Sequence, residues 1–257
     1  MSVLLLKLIL TPSLIGAASL AGRKWGHAIS GWLVALPLTT GPIVFLLALQ
    51  HGTTFAANTA AGILAGGFSL AAFVLVYARL APRLTWLPTL AASTLAFGLM
   101  TALMNNFTLP VLPLWAGVLA AFLLVMQLVP RDAHSNGNTE ALPSRWDIPL
   151  RMIITTAFVL LITGLAPVVG PHLAGLLSPF PLFTATLSAF AQRLHGPAAA
   201  LTVLRGLLMG LFSYATFMFT LAVLLQPAGI ATAFAVAIVV TAAIQGVAFW
   251  LLRRGNG

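Results

Sequence analysis

LPLTTGP, residues 36–42, is a run that a membrane helix should not contain. It sits inside a segment otherwise apolar enough to cross a bilayer. Each proline removes a backbone donor and clashes with the preceding turn. In hydrocarbon an unpaired backbone group costs several kcal/mol. The run has a counterpart in SPFPLFTAT, residues 178–186, and the two coincide when the chain is shifted by 144 positions.

At that offset Gly31 meets Gly175, Pro37 meets Pro181, Leu38 meets Leu182 and Thr40 meets Thr184. His51–Gly52 meets His195–Gly196, and Gly62 and Gly66 meet Gly206 and Gly210. Phe68, Ser69 and Phe73 meet Phe212, Ser213 and Phe217. From 31 to 73 there are 15 identities in 43 ungapped positions, so the chain is read as an internal repeat. Outside that window Lys7 meets Arg151, Thr11 meets Thr155 and Gly26 meets Gly170.

The composition agrees with a membrane protein. Of the 257 residues 60% are hydrophobic and 6% charged, with mean hydropathy +1.07. A soluble domain of this size does not look like that. The apolar-out, polar-in alternation of a membrane barrel is missing, so the expected class is all-α and polytopic. With no Cys there is no disulfide framework and no thiol chemistry.

A span needs about 20 apolar residues. Nine stretches qualify: 2–20, 28–50, 53–78, 84–104, 109–130, 149–166, 172–194, 197–226 and 229–252. The first resembles a signal peptide in its apolar core, but the repeat includes it, so it is read as a retained span. The polar segment 131–148 holds all three acidic residues, Asp132, Glu140 and Asp147. The expected organisation is repeat 1 over 1–105, a linking helix over 106–130, a cytoplasmic linker over 131–148 and repeat 2 over 149–257. An odd span between the four-span repeats inverts the second relative to the first. This 4+1+4 arrangement is common among secondary transporters.

Net charge is +9. Eleven of the twelve basic residues fall at the end of or after odd-numbered spans, or early in even ones, Lys7 being the exception. The positive-inside rule then puts the N-terminus out and the C-terminus in. The positive charge is read as a topology signal, so nucleic acid is not an expected partner.

Each repeat resembles one GlpM-like unit, a family of small bacterial inner-membrane proteins with four spans. The likeness is best from PLRMIITTAFVLLITGLAP through HLAGLLSPFPLFTATLSAF to HGPAAALTVLRG and YATFMFTLAVLL. Its centre is Gly175–Leu176 followed by Phe180–Pro181; the first repeat departs with Leu36 in place of Phe180 and an added Gly41–Pro42. The resemblance implies the bacterial inner membrane and a link to exopolysaccharide production.

Paired Pro/Gly-interrupted helices point to a midplane binding site; a proline kink repaired by neighbours is the alternative. The candidate solute-binding residues are Pro37, Thr39, Thr40, Gly41, Pro42, Pro179, Pro181, Thr184 and Thr186 at the breaks, with Asn58 and Thr202 close after the His-Gly pairs. Threonine hydroxyls at such sites also bond freed carbonyls. Arg205 lies about 12 Å into its span. Its planar fork suits carboxylate or phosphate, unless it snorkels to the surface. His51 and His195 are read as helix caps beside glycine, with pH-sensitive gating as the alternative. Gly62-x-x-x-Gly66 and Gly206-x-x-x-Gly210 are expected to mark close helix packing.

No carboxylate lies in any span, and no phosphate-binding loop, metal motif or catalytic triad spacing is present. No enzyme activity, cofactor or metal is expected. The leading expectation is a secondary transporter or facilitator for a small anionic or neutral polar solute. A translocator for a lipid or lipid-linked envelope precursor is the second, and a non-transporting subunit of an envelope complex the third. The partners are then the bilayer and a solute or lipid ligand, with a homo-oligomer or envelope complex left open.

Overall fold

A computed structural model describes residues 40–130 and 147–255, together with Ile9, Ser13 and Pro37. Most of the expected span 2–20, most of the segment 28–39 including Thr39, and residues 131–146 of the linker lie outside the described residues, as do the side chains of Thr184, Thr186 and His195. Among the described residues the chain is helical and contains no strand. The helices are α1 (Thr40–Leu80), α2 (Trp86–Met104), α3 (Val111–Leu128), α4 (Asp147–Leu177), α5 (Leu182–His195) and α6 (Pro197–Gly255). Five are long and apolar enough to cross a membrane: α1, α2, α3, the Thr156–Leu177 part of α4 and the Pro197–Gly246 part of α6. This is a membrane-embedded helical protein.

Two of these helices are too long for one crossing. At 1.5 Å per residue the 41 residues of α1 and the 59 of α6 would run roughly 60 and 90 Å if straight, against a hydrocarbon core of about 30 Å. Each is broken by a glycine, Gly52 (φ 85°, ψ 171°) in α1 and Gly229 (φ 77°, ψ 175°) in α6. Gly170 breaks α4 in the same way, and Gly196 separates α5 from α6. Left-handed φ with extended ψ is a backbone region open essentially to glycine alone.

At Gly229 the break reverses the chain. The Phe217 and Phe234 rings, 17 positions apart in sequence, have centroids 6.2 Å apart. A straight helix would separate them by roughly 25 Å along its axis. Helix α6 is therefore a helical hairpin, and Phe45 of α1 packs edge-on to the same Phe234 ring at 5.5 Å.

The 53–80 arm of α1 runs through the core, with Ile63, Leu64, Phe73, Val74 and Tyr77 fully buried. Beside it lies the end of α4, at backbone contact. A Cβ added at Gly62 would stand 3.1 Å from Gly175 Cα, and one added at Gly175 would stand 2.7 Å from Gly62 Cα. One turn on, Gly66 faces Pro179 and Leu176. The two segments therefore run in the same direction. Small residues let backbones meet where dispersion, and not water, drives association.

The matching expectation for Gly206 needs correction. Gly206 is exposed, and a Cβ there would meet nothing within 4 Å among the described residues. Helix α6 packs through Leu204, Leu208 and Leu211, which are buried on another face. A small-xxx-small pair packs closely only where a second backbone arrives. Gly175 supplies one to Gly62, and no described helix supplies one to Gly206.

A further regularity links the halves. The buried face of α2 is Thr89, Ser93, Phe97 and Thr101, and that of the outgoing arm of α6 is Ala233, Ala237, Thr241 and Gln245. Each member of the second set is 144 positions after its counterpart in the first.

Candidate functional site

Each proline-rich run contains non-helical backbone among its described residues. Pro37 is non-helical and α1 begins at Thr40. The Gly41 N–H donates to the Pro37 carbonyl at 2.7 Å, closing the first turn. Thr40, Gly41 and Pro42 are buried, the Phe217 ring stands 3.8 Å from where a Gly41 Cβ would lie, and the Thr40 hydroxyl has no hydrogen-bond partner.

At the second run α4 stops at Leu177 and α5 starts at Leu182. The Ser178 hydroxyl donates to the Ala174 carbonyl at 2.6 Å, and the Phe180 and Ala185 N–H groups donate to Leu177 and Pro181 at 3.2 and 2.7 Å. Pro179 and Pro181 are buried, and the Phe180 ring meets Phe97 edge-on at 5.2 Å. Local bonds thus satisfy much of the freed backbone, which is what membrane depth demands.

The other expected residues are scattered. Asn58 and Thr202 are exposed, and the Thr202 hydroxyl donates to the Ala198 carbonyl four residues back at 3.1 Å. His51 is exposed and stacks on Phe55, with centroids 4.9 Å apart. His195 closes α5 and Gly196 caps it, its N–H donating to the Gln192 carbonyl at 3.1 Å.

Arg205 has a structural partner. Its Nη2 donates to the Val129 carbonyl at 3.2 Å, at the C-terminal cap of α3. Carbonyls at a helix C-terminus lack partners within the helix and carry the negative end of its dipole. A guanidinium is well suited to that position. Arg205 Nε remains buried without a partner.

One end of the bundle is joined by contacts among the α1–α2 turn, the end of α5 and the start of α2. The Gln192 Nε2 donates to the carbonyls of Ala81 and Leu84 at 3.1 and 2.8 Å. The Arg193 guanidinium lies 5.7 Å from the centre of the Trp86 ring. At the opposite end His172 Nε2 makes a long 3.5 Å approach to the Met104 carbonyl.

Buried polar groups outside the proline-rich runs lie between these ends. Thr101 donates to the Ser69 hydroxyl at 2.9 Å, a buried pair in an apolar bundle. Tyr77, Thr89 and Ser188 each carry a buried hydroxyl without a partner, and Gln192 Oε1 is also unpaired. The available signal was an amide within an apolar run, Gln192, because polar side chains in such helices bond across to neighbours. Among the described residues no group of three or more His, Cys, Asp or Glu could hold a metal ion. Comparison with protein-family models, with curated proteins and with solved structures finds no match.

Proposed function

We propose that this chain is a secondary transporter or facilitator for a small anionic or neutral polar solute, built as two inverted four-span repeats around a linking helix. The observation that carries this reading is the non-helical backbone at Pro37 and again between α4 and α5. Helix α1 begins at Thr40 beside buried Pro42, α4 and α5 are parted at buried Pro179 and Pro181, and the Thr40 hydroxyl is left without a partner. Irregular backbone inside a membrane bundle goes with protein-lined cavities.

The nine-span count is supported by the glycine breaks at 52, 170, 196 and 229, which lie in or beside the gaps between apolar stretches. The repeat is supported by the coincident buried faces of α2 and α6. The GlpM-like resemblance and a bacterial inner-membrane location belong to the same proposal, with N-terminus out and C-terminus in.

The test is a thermal-stability screen on purified protein with small anions, neutral solutes, phospholipid and polyprenyl phosphate side by side. A ligand that binds only the folded state at 100 times its Kd stabilises by about 2.7 kcal/mol. A shift with a soluble solute supports transport. A shift with lipid alone replaces it by lipid translocation, and no shift with any ligand argues for an assembly subunit.

A further inference from the structure

A rim of exposed arginines closes one end of the bundle. Gln192, on the last turn of α5, donates to the carbonyls of Ala81 and Leu84, which stand on either side of Pro82 and Arg83 in the α1–α2 turn. The next residue of α5, Arg193, sets its guanidinium 5.7 Å from the centre of the Trp86 ring, at the first residue of α2. Arg83 folds back on the end of α1, its Nη1 donating to the Arg79 carbonyl at 2.9 Å. One joint thus holds Arg79, Arg83 and Arg193 at neighbouring positions, and all three are exposed.

The chain has little of its own to answer these charges. All three carboxylates lie within 131–148, so α1, α2 and α5 carry none. That segment also holds Arg131 and Arg145; three acidic residues against two basic leave it a net charge of −1, too little to neutralise three guanidiniums. The rim also borders the lipid-facing surface. Leu84 and Leu87 beside it are 43% and 58% exposed, and Leu95 and Leu99 continue that face of α2, away from buried Thr89, Ser93 and Phe97. In a membrane-embedded chain exposed leucines meet acyl chains, and a tryptophan such as Trp86 belongs at the headgroup level.

We infer that the rim of Arg79, Arg83 and Arg193 holds the headgroup phosphate of an anionic phospholipid, with its acyl chains along Leu84 and Leu87. The planar guanidinium fork matches phosphate geometry, and basic residues at a membrane surface attract anionic lipid. An anion attached to an apolar body fits charged and apolar surfaces that lie side by side, as a free anion does not. The lipid would bridge the α1–α2 turn and the end of α5, reinforcing the joint that Gln192 makes. This inference stands apart from the transport reading and holds for any of the three functions.

The experiment offers the full chain, purified in detergent, equal amounts of phosphatidylglycerol and phosphatidylcholine. Native mass spectrometry reads the lipid retained, and thermal unfolding reads the fold. Phosphatidylglycerol should be retained about tenfold over phosphatidylcholine. Arg83→Gln with Arg193→Gln should abolish that preference and leave the Tm in phosphatidylcholine close to that of the parent chain, since both guanidiniums are exposed. Arg83→Lys with Arg193→Lys should fall between, because lysine keeps the charge and loses the fork. Arg253→Gln with Arg254→Gln removes the same charge elsewhere and should change nothing. A stabilisation by phospholipid that disappears in the Arg83 and Arg193 glutamine pair reports the rim and not a translocation pathway. Equal retention of the two lipids by the parent chain overturns the inference. So does an equal loss in the Arg253 and Arg254 pair, which would mean net charge and no site. A loss in the lysine pair as complete as in the glutamine pair would mark a damaged joint and overturn it too. Displacement of the lipid by inorganic phosphate would assign the rim to a free anion. A gain in retention on Asp132→Asn, Glu140→Gln and Asp147→Asn would assign it to the 131–148 segment, and either result removes the lipid.

Discussion

At the scale of single residues, context decides between two readings of the same side chain. An arginine 12 Å into an apolar span asks for a function, and the spacing along the chain offers only an anion or the surface. The carbonyl that answers it, Val129, is 76 positions away, beyond the reach of any local pattern. Losing a hydrogen bond to a charged group costs about 1.5–3 kcal/mol. Arg205→Ala should therefore lower the Tm, and Arg205→Lys should recover most of the loss, since an ammonium can reach the same carbonyl. An anion site that needs the planar fork would show the reverse in a ligand-binding assay, with Lys as poor as Ala. The glycines make the same point. Gly62 and Gly206 hold matching places in the repeat, yet a Cβ meets α4 at one and nothing described at the other. Gly62→Ala should destabilise by about 1–3 kcal/mol through overpacking. Gly206→Ala should be neutral or slightly stabilising, because Ala is the better helix former. Equal Tm losses in the two variants would show that a further segment covers Gly206.

At the scale of elements, the breaks were more legible than the contacts. Proline at 37, 179 and 181 and the His-Gly pairs at 51–52 and 195–196 are readable as breaks and helix ends, because such residues restrict or free the backbone locally, whereas Gly170 and Gly229 carry no such flag among the 22 glycines. What a broken helix then packs against depends on partners far along the chain. LPLTTGP marks where α1 begins, and nothing in those seven letters brings Phe217 onto Gly41 or Phe234 onto Phe45. For the same reason Asn58 and Thr202, placed near the candidate cavity by their spacing from His-Gly, stand exposed, while Ser188 and Thr89, unremarkable as letters, are sealed inside. The hairpin at Gly229 can be tested directly. Its backbone is open essentially to glycine, so Gly229→Ala should cost about 1–3 kcal/mol. Since the chain lacks cysteine, Phe217→Cys with Phe234→Cys can be probed alone. A short bifunctional thiol reagent should join them within one molecule. A pair that never crosslinks would mean that α6 does not fold back.

At the scale of the whole molecule, topology links the local breaks to function. The 53–80 arm of α1 runs through the core for roughly 40 Å at 1.5 Å per residue and ends at the turn that Gln192 holds. Thr53 and Pro197 consequently lie toward opposite ends of the bundle, although each directly follows a His-Gly pair of identical sequence. The proposed inverted repeat would treat equivalent positions in this way, one on each face. The charge pattern adds a direction to the proposal, since Arg79, Arg83 and Arg193 gather at the Gln192 end, which would be cytoplasmic under the positive-inside rule. With Thr53→Cys and Pro197→Cys made separately in intact cells, an impermeant thiol reagent should label the first and reach the second only after permeabilisation. Labelling of both from outside, or of neither, would remove the inverted repeat and with it the argument that the two broken helices face a shared midplane. The outcome does not depend on knowing a substrate. It therefore separates an error in the architecture from an error in the solute, which a failed uptake assay alone would leave entangled.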